Sequence, residues 1–440
     1  MRNYPSIGIQ IPDILLPNET IDLSKWSVIA CDQFTSQPEY WDEVRKFVNQ
    51  SPSTLNLILP EVYLGKPEKK SFVAGIQQSM RTYLEKNIIT PTEGMVLIER
   101  ISNAGTRHGL LLALDLEKYS FEQDSSSIIR ATEGTIVDRL PPRIRIRKNA
   151  ILECPHILVL IDDPEKSIIE PLWKINTLHP KIYDFDLMLD SGHLKGYLVN
   201  DVTIEKKMVE AFEKFSKSKY FHKKYGLTKN EEVLLFAVGD GNHSLATAKA
   251  VWEKKKASLP ADHPLRYALV EIENIHDPGL FFEPIHRVIF GNKQNIIEAL
   301  HNHYRKKINI NTCQSYKEMI SKVKKSTSEK QIIGLTTSDY YGIMSVDHPS
   351  SNLPVGTLQE FLDCFLSKGG ADGIDYIHGT DSLLKISQKP DNFGFYLPAM
   401  DKNQLFRTVI LDGALPRKTF SMGEAKDKRF YLECRIIQGI

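Results

Sequence analysis

The sequence predicts an α+β fold with mixed sheets in its first two-thirds and a smaller α/β region at its C-terminal end. Three observations carry this. Apolar runs of strand length recur at 95–102, 108–117, 156–164, 233–238 and 266–275. Charged segments with helical apolar spacing lie among them, such as 206–223 with Val209, Phe212 and Phe215 inward. From about Gly291 the pattern changes to helix–strand alternation. That change sets a soft boundary at 290–295, giving an α+β domain over 1–292 and a C-terminal region over 293–440. The chain has 440 residues, and single cores stop growing beyond ~250–300 residues, so more than one unit is expected.

The elements follow in order. Residues 26–31 read as a short buried strand ending in a polar turn. Ser36 is a good cap and Pro38 suits the first turn of a helix through 40–48, with Trp41, Val44 and Val48 on one face. A second helix is expected over 71–86. The runs 95–102 and 108–117 flank Asn103-Ala104-Gly105, a hairpin signal. Residues 127–147 are basic and β-branched, with Pro141-Pro142 as a break and Ile144 and Ile146 alternating with arginines as in an edge strand. Strands at 156–164 and 233–238 follow, the second entering a Gly-rich turn and a helix. Beyond 291, helices at 294–306 and 316–325, paired strands at 331–338 and 340–346, a helix near 358–366 and a final helix including 424–431 complete the chain.

Composition bounds the function. Hydrophobic content is 41% and charged content 25%, a globular balance. The net charge of +1 provides no global basic field for wrapping nucleic acid. Cys31, Cys154, Cys313, Cys364 and Cys434 are scattered with no CxxC pair, which argues against a disulfide framework and a structural zinc site. No secretory signal and no membrane-length apolar run is visible. A cytoplasmic location without a membrane partner is expected.

The richest stretch is GDGNHSLATAK, 239–249. Gly239 and Gly241 permit tight backbone geometry. Asn242 is positioned to cap the following helix, whose free N–H groups favour anions. His243 and Ser244 add donors, and Asp240 adds an acid for a metal or for proton transfer. A plain capped strand–loop–helix junction remains the alternative. A second cluster, Arg130, Arg139, Arg143, Arg145, Arg147 and Lys148, could fork phosphate oxygens or form a solvated basic edge. In 276–288, His276, Asp277, Glu283, His286 and Arg287 crowd a loop and strand start, either a site or a turn with a buried His286. Asp32 follows a buried strand, where site residues often lie, and Cys31 reads as structural. Ser421 and Glu424 have capping-box spacing. No nucleophile elbow, kinase signature or HExxH occurs.

Read with ACDQFTSQPEYW, RATEGT, NIHDPGLFFEPIHRV and LPRKTFSMGEAKDKRFYLE, the Gly-rich stretch resembles the bacterial family called domain of unknown function 1015, over nearly the whole chain. Its common members carry DGHHR before a helix and an upstream HE-x-T element with a downstream Arg. Those elements are similar to ones in the ParB and sulfiredoxin-like superfamily, which includes an archaeal free serine kinase and whose Gly-rich turn holds nucleotide phosphates. The resemblance implies a ParB/sulfiredoxin-like nucleus in the first two-thirds. It places Gly239, Gly241, Asn242, Ser244 and Thr135 at phosphate, with Arg130, Arg143 or Arg287 supplying charge. Glu133, Asp240, His243 and Asp32 become the candidate catalytic residues. The departures are Asn242 and Ser244 for the His and Arg of DGHHR, and Thr132 for the upstream His. The implied function is a nucleotide-dependent phosphotransferase acting on a small hydroxylated metabolite, using ATP or ADP with Mg²⁺ at Asp240 or Glu133. A non-catalytic nucleotide- or metabolite-binding regulator and a ParB-like nucleic-acid-associated protein are the alternatives.

Overall fold

The computed structural model describes residues 1–64, 69–123, 125–227 and 231–439. The fold is α+β, with helices and mixed sheets. The chain forms two compact units. The first comprises Met1–Phe281 together with Ala425–Ile440, and the second is Phe282–Glu424. This departs from a break at 292/293 in two ways. The strand Phe282–Phe290 belongs to the second unit because it pairs there with Gly373–His378 and Phe393–Tyr396. Ala425–Ile440 returns to the first unit because its apolar side chains have their partners there. Among the described residues, no helix is long and apolar enough to cross a membrane.

The first unit is organised by an eleven-stranded sheet. Its centre runs Met95–Ser102, Gly105–Asp115, Tyr267–Asn274, Leu158–Ile161, Phe236–Asp240, Ile129–Ala131. The hairpin is as the turn signal predicts, with Ser102 opposite Gly105. The sheet is mixed: Leu158–Ile161 is parallel to Tyr267–Asn274 but antiparallel to Phe236–Asp240, which in turn is parallel to Ile129–Ala131. Leu158, Val159, Phe236, Val238 and Ile272 are fully buried, as strands covered on both faces require.

Four local readings change. The helix Pro38–Val48 forms with its proline in the first turn, but Gln37, not Ser36, precedes it, and without a capping hydrogen bond. The basic stretch is not an edge strand. Only Ile129–Ala131 is extended, and Leu140–Arg147 is a helix that Pro141 and Pro142 begin rather than break. Residues 424–431 are not a helix either. They hold a short 3-10 turn, Ala425–Asp427, and the strand Phe430–Tyr431. Ser421 lies in the strand Phe420–Met422 and donates to Gly423 O at 2.7 Å, so it caps nothing.

Residues 425–437 form a strap that completes the first core. Phe430 and Tyr431 pair with Ile29 and Val28. Arg435 and Ile436 pair with Glu153 and Leu152. Phe430, Tyr431, Leu432, Cys434 and Ile437 are all at most 2% exposed. Its charges are buried in pairs: Arg429 Nε donates to Glu271 at 2.7 Å and its Nη2 to Glu433 at 2.8 Å, while Arg435 Nε donates to Glu153 at 2.7 Å. A segment with every side covered has no helical periodicity to read, which is why pattern alone misassigns it.

The second unit is a seven-stranded antiparallel sheet with helices. Its strands Lys330–Thr336 and Tyr341–Asp347 pair as expected. His286 lies in the strand Phe282–Phe290, 1% exposed. Its Nδ1 accepts from the Leu397 N–H at 3.1 Å and its ring stacks on Tyr396. Burial, with Arg287 and His378 nearby, pushes its pKa down from 6.5 to about 4. The folded value is below the unfolded one, so protonation favours unfolding. The second unit should therefore lose stability as pH falls from 6.5 towards 4, by roughly 3 kcal/mol at full protonation. Melting curves across that window check this. A His286→Phe variant with the same slope as the parent would reject it.

Candidate functional site

The Gly-rich turn sits where a central strand meets a helix. Phe236–Asp240 ends at the turn and the helix Asn242–Lys255 begins after it. The residue between them, Gly241, has φ +79° and is the N-cap, with no side chain capping the helix. Asn242 is thus the first helical residue rather than the cap. Glycine is required twice over: the backbone is left-handed, and an added Cβ would lie 3.0 Å from Ile157 Cα. Gly241→Ala should cost about 1–2 kcal/mol from conformation alone, with more from that contact. A urea midpoint no lower than the parent's would contradict this.

Three groups of side chains close on the turn. From one side, Thr132 Oγ1 donates to Val238 O at 2.6 Å, and the Ile136 N–H donates to His243 Nε2 at 3.4 Å. These bonds dock residues 132–136 beside the helix end, so the stretch carrying Glu133 and Thr135 does meet the Gly-rich turn. Thr135 Oγ1 and Asn242 Oδ1 are both buried without a hydrogen-bond partner. Glu133 is half-buried on that segment.

From the strap, Lys428 reaches Asp240, Nζ to Oδ2 3.0 Å, with only 9% of its side chain exposed. Asp240 Oδ1 accepts from the Gly241 N–H at 2.9 Å. Burial pushes the Asp240 carboxyl up, but the Lys428 ammonium more than offsets this and holds it below the usual range.

From a third direction comes His156. Its Nε2 is 3.1 Å from Ser244 Oγ and 3.9 Å from Asp32 Oδ2, and its Nδ1 is 2.7 Å from Tyr431 OH. Tyr431 OH accepts from the Cys31 N–H at 3.2 Å. His156 therefore bridges the strap and the helix end, with Nδ1 on Tyr431 and Nε2 facing Ser244 and Asp32. Next to Asp32 is a half-buried pair, Glu61 and Arg143. Burial raises the Glu61 pKa, opposed by Arg143 and reinforced by Asp32.

Of Arg130, Arg143 and Arg287, expected to supply charge at the turn, only Arg143 comes beside the site, through Glu61 next to Asp32. Arg143 is on the helix Leu140–Arg147 and donates to Glu61 and to Arg139 O. Arg130 is buried and donates to Ser127 O at 2.7 Å and Glu232 O at 2.8 Å, serving its own backbone surroundings. Arg287 belongs to the second unit, where it donates to Ile285 O, Gln359 and Arg417 O. Lys249, on the site helix, serves Leu116 O and Glu253. Asp240, expected as a Mg²⁺ ligand, has both oxygens engaged, one by an ammonium, and this donor set does not fit a dication. Among the described residues no group of three or more His, Cys, Asp or Glu is placed to hold a metal ion.

The residues that sequence reasoning missed are His156, Lys428, Tyr431 and Glu61. Pairings between positions far apart in the chain bring them in, and no local motif marks them.

The arrangement is rich in groups able to donate: the uncapped helix N–H groups, the Ser244 hydroxyl, the His156 imidazole and the Lys428 ammonium. Beside them Asp32 offers a partly exposed carboxylate, 30% exposed. Donors of this kind suit oxyanions.

Comparison with known proteins gives several structural likenesses, among them the three that follow. A free serine kinase variant in complex with AMP is 10% identical, covering 74% of this chain and 91% of its own, with a TM-score of 0.39. A conserved hypothetical protein from Pyrococcus furiosus is 10% identical, covering 73% and 90%, with a TM-score of 0.37. SbnI with a C-terminal truncation, from Staphylococcus aureus, is 12% identical, covering 73% and 82%, with a TM-score of 0.34. No curated protein matches. The family model described as protein of unknown function, DUF1015, matches residues 15–365, so the chain belongs to the DUF1015 family.

Proposed function

We propose that the chain binds the phosphates of ATP or ADP at the Asp240–Ser244 turn and transfers a phosphoryl group to a hydroxyl of a small metabolite. The observation that carries this is the convergence of Lys428, His156 and Ser244 on one uncapped helix end. Phosphoryl transfer asks mainly for positioning and charge stabilisation, and these groups supply both. The helix end and Ser244 hold non-transferred phosphate oxygens. Lys428 and the His156 imidazole face the charge that develops on the transferred group. Asp32 takes the proton of the attacking hydroxyl, with Glu133 as the second acid in the resemblance. Mg²⁺ has no place at Asp240 in this reading.

A non-catalytic nucleotide-binding role is the second reading. The Asp240–Lys428 pair favours it, because one of the acids expected for chemistry is already neutralised. The test is thermal shift and calorimetric titration with ATP, ADP, CTP and GTP, with Mg²⁺ and with EDTA. ADP or AMP release is then followed across a panel of hydroxylated acceptors. Nucleotide binding that persists in EDTA, with acceptor-dependent release, is the expected result. Binding without release for any acceptor supports the regulator, and no stabilisation by any nucleotide refutes both readings.

A further inference from the structure

Cys154 and Cys434 are far apart in the sequence, but the fold sets them face to face. In the pairing of Leu152–Glu153 with Arg435–Ile436, Leu152 is opposite Ile436 and Glu153 opposite Arg435. The next step of that register puts Cys154 opposite Cys434, and their Sγ atoms are 3.1 Å apart. Both are free thiols.

The backbone favours a covalent link. Cys434 gives its N–H to Leu15 O at 2.9 Å and accepts from the Leu15 N–H at 2.7 Å. Both its backbone groups therefore point away from Cys154. In an antiparallel ladder, opposed residues bonded on their outer edges are the closer kind of pair, with Cα atoms ~4.5 Å apart. That separation lies within the ~4.4–6.8 Å that a disulfide spans. Cys434 is fully buried and Cys154 half-buried, so an oxidant reaches one sulfur and the other waits beside it. The greater exposure of Cys154 assigns the first step to it.

We propose that Cys154 and Cys434 form a reversible disulfide, driven by peroxide, that staples the strap to the rest of the first unit. Hydrogen peroxide oxidises the Cys154 thiol to a sulfenic acid and releases one water. The Cys434 sulfur then displaces the hydroxyl, the S–S bond forms, and the Cys434 proton leaves with that hydroxyl as a second water. Two thiols and one peroxide become one disulfide and two waters. Two equivalents of a small thiol reverse it and are themselves oxidised to a disulfide. The strap so tied carries Lys428 and Tyr431, but the disulfide does not depend on the nucleotide reading.

The experiment treats the folded full chain with hydrogen peroxide and analyses it without reductant. The expected result is an intact mass lower by two hydrogens, a peptide map joining Cys154 to Cys434, and recovery of both thiols with dithiothreitol. Cys154→Ser, at the half-buried position, should lose the link while keeping the fold, and Cys434→Ala should lose it too. The proposal is overturned by added oxygen at Cys154 without a link, by a link through Cys31, Cys313 or Cys364, or by a link that forms only in urea. The wild-type measurement is decisive even if Cys434→Ala does not fold.

Discussion

A chain ending at Glu424 should lose the folding transition of its first unit. The strap it lacks buries Phe430, Tyr431, Leu432, Cys434 and Ile437, each contributing roughly 1.5–3 kcal/mol for the larger apolar side chains. Their sum is comparable to the whole stability of an ordinary domain, about 5–15 kcal/mol. Truncation also strands a carboxylate. Glu153 loses Arg435 but keeps Arg147, whereas Glu271 loses the Arg429 that pairs with it. An uncompensated buried charge costs about 3–5 kcal/mol, so a single Arg429→Met change in the full chain should already cost several kcal/mol. Circular dichroism and urea titration read both. A truncated chain that retained two cooperative transitions would refute the strap's role. The same balance sets an acid limit. Burial pushes the Glu153 carboxyl up, but Arg435 and Arg147 more than offset this and hold it below its ordinary 4.5. A carboxyl held low in the folded state stabilises above its unfolded value and stops doing so as pH falls through the lower folded one. Its support should persist to pH 4.5 and fade only below.

Replacing Lys428 should weaken nucleotide binding by at least about tenfold, since a charge-assisted hydrogen bond contributes ~1.5–3 kcal/mol and each ~1.4 kcal/mol is tenfold in affinity. Lys428→Met alone leaves the half-buried Asp240 without its ammonium partner, which confounds binding with folding. The informative variant is Lys428→Met with Asp240→Asn, which removes both charges together. It should melt cooperatively near the parent temperature and bind ADP at least tenfold more weakly, while Lys428→Arg keeps most of the affinity. If the double variant bound ADP as tightly as the parent, Lys428 would be a structural partner of Asp240 and nothing more.

What the sequence reveals depends on how local the cause is. The hairpin at 95–115, the strand entering Gly241 and the paired strands at 330–347 are legible because turn chemistry and short periodicities specify them within a few residues. The helix Leu140–Arg147 is not, because Ile144 and Ile146 alternate with arginines as a strand would. Its prolines and its packing against the helix Asn242–Lys255 decide otherwise. The Gly-rich turn is legible as a backbone device, but its side-chain environment is not. His156 stands out only once Ser244, Asp32 and Tyr431 surround it, and Lys428 only once the strap lies beside Asp240.

The first unit is interrupted by the whole of the second, and this orders events during synthesis. Val28 and Ile29 leave the ribosome early but find their strand partners only when Phe430 and Tyr431 emerge. Contacts so distant in sequence slow folding. The intervening residues 282–424 can acquire their own structure meanwhile, since domains generally fold as units. The earlier-made sheet must wait with its apolar surface uncovered, a period in which chaperone protection matters most. The turn at Gly241 cannot gain its ammonium neighbour until that wait is over, so a nascent or prematurely stopped chain is predicted to carry no competent site.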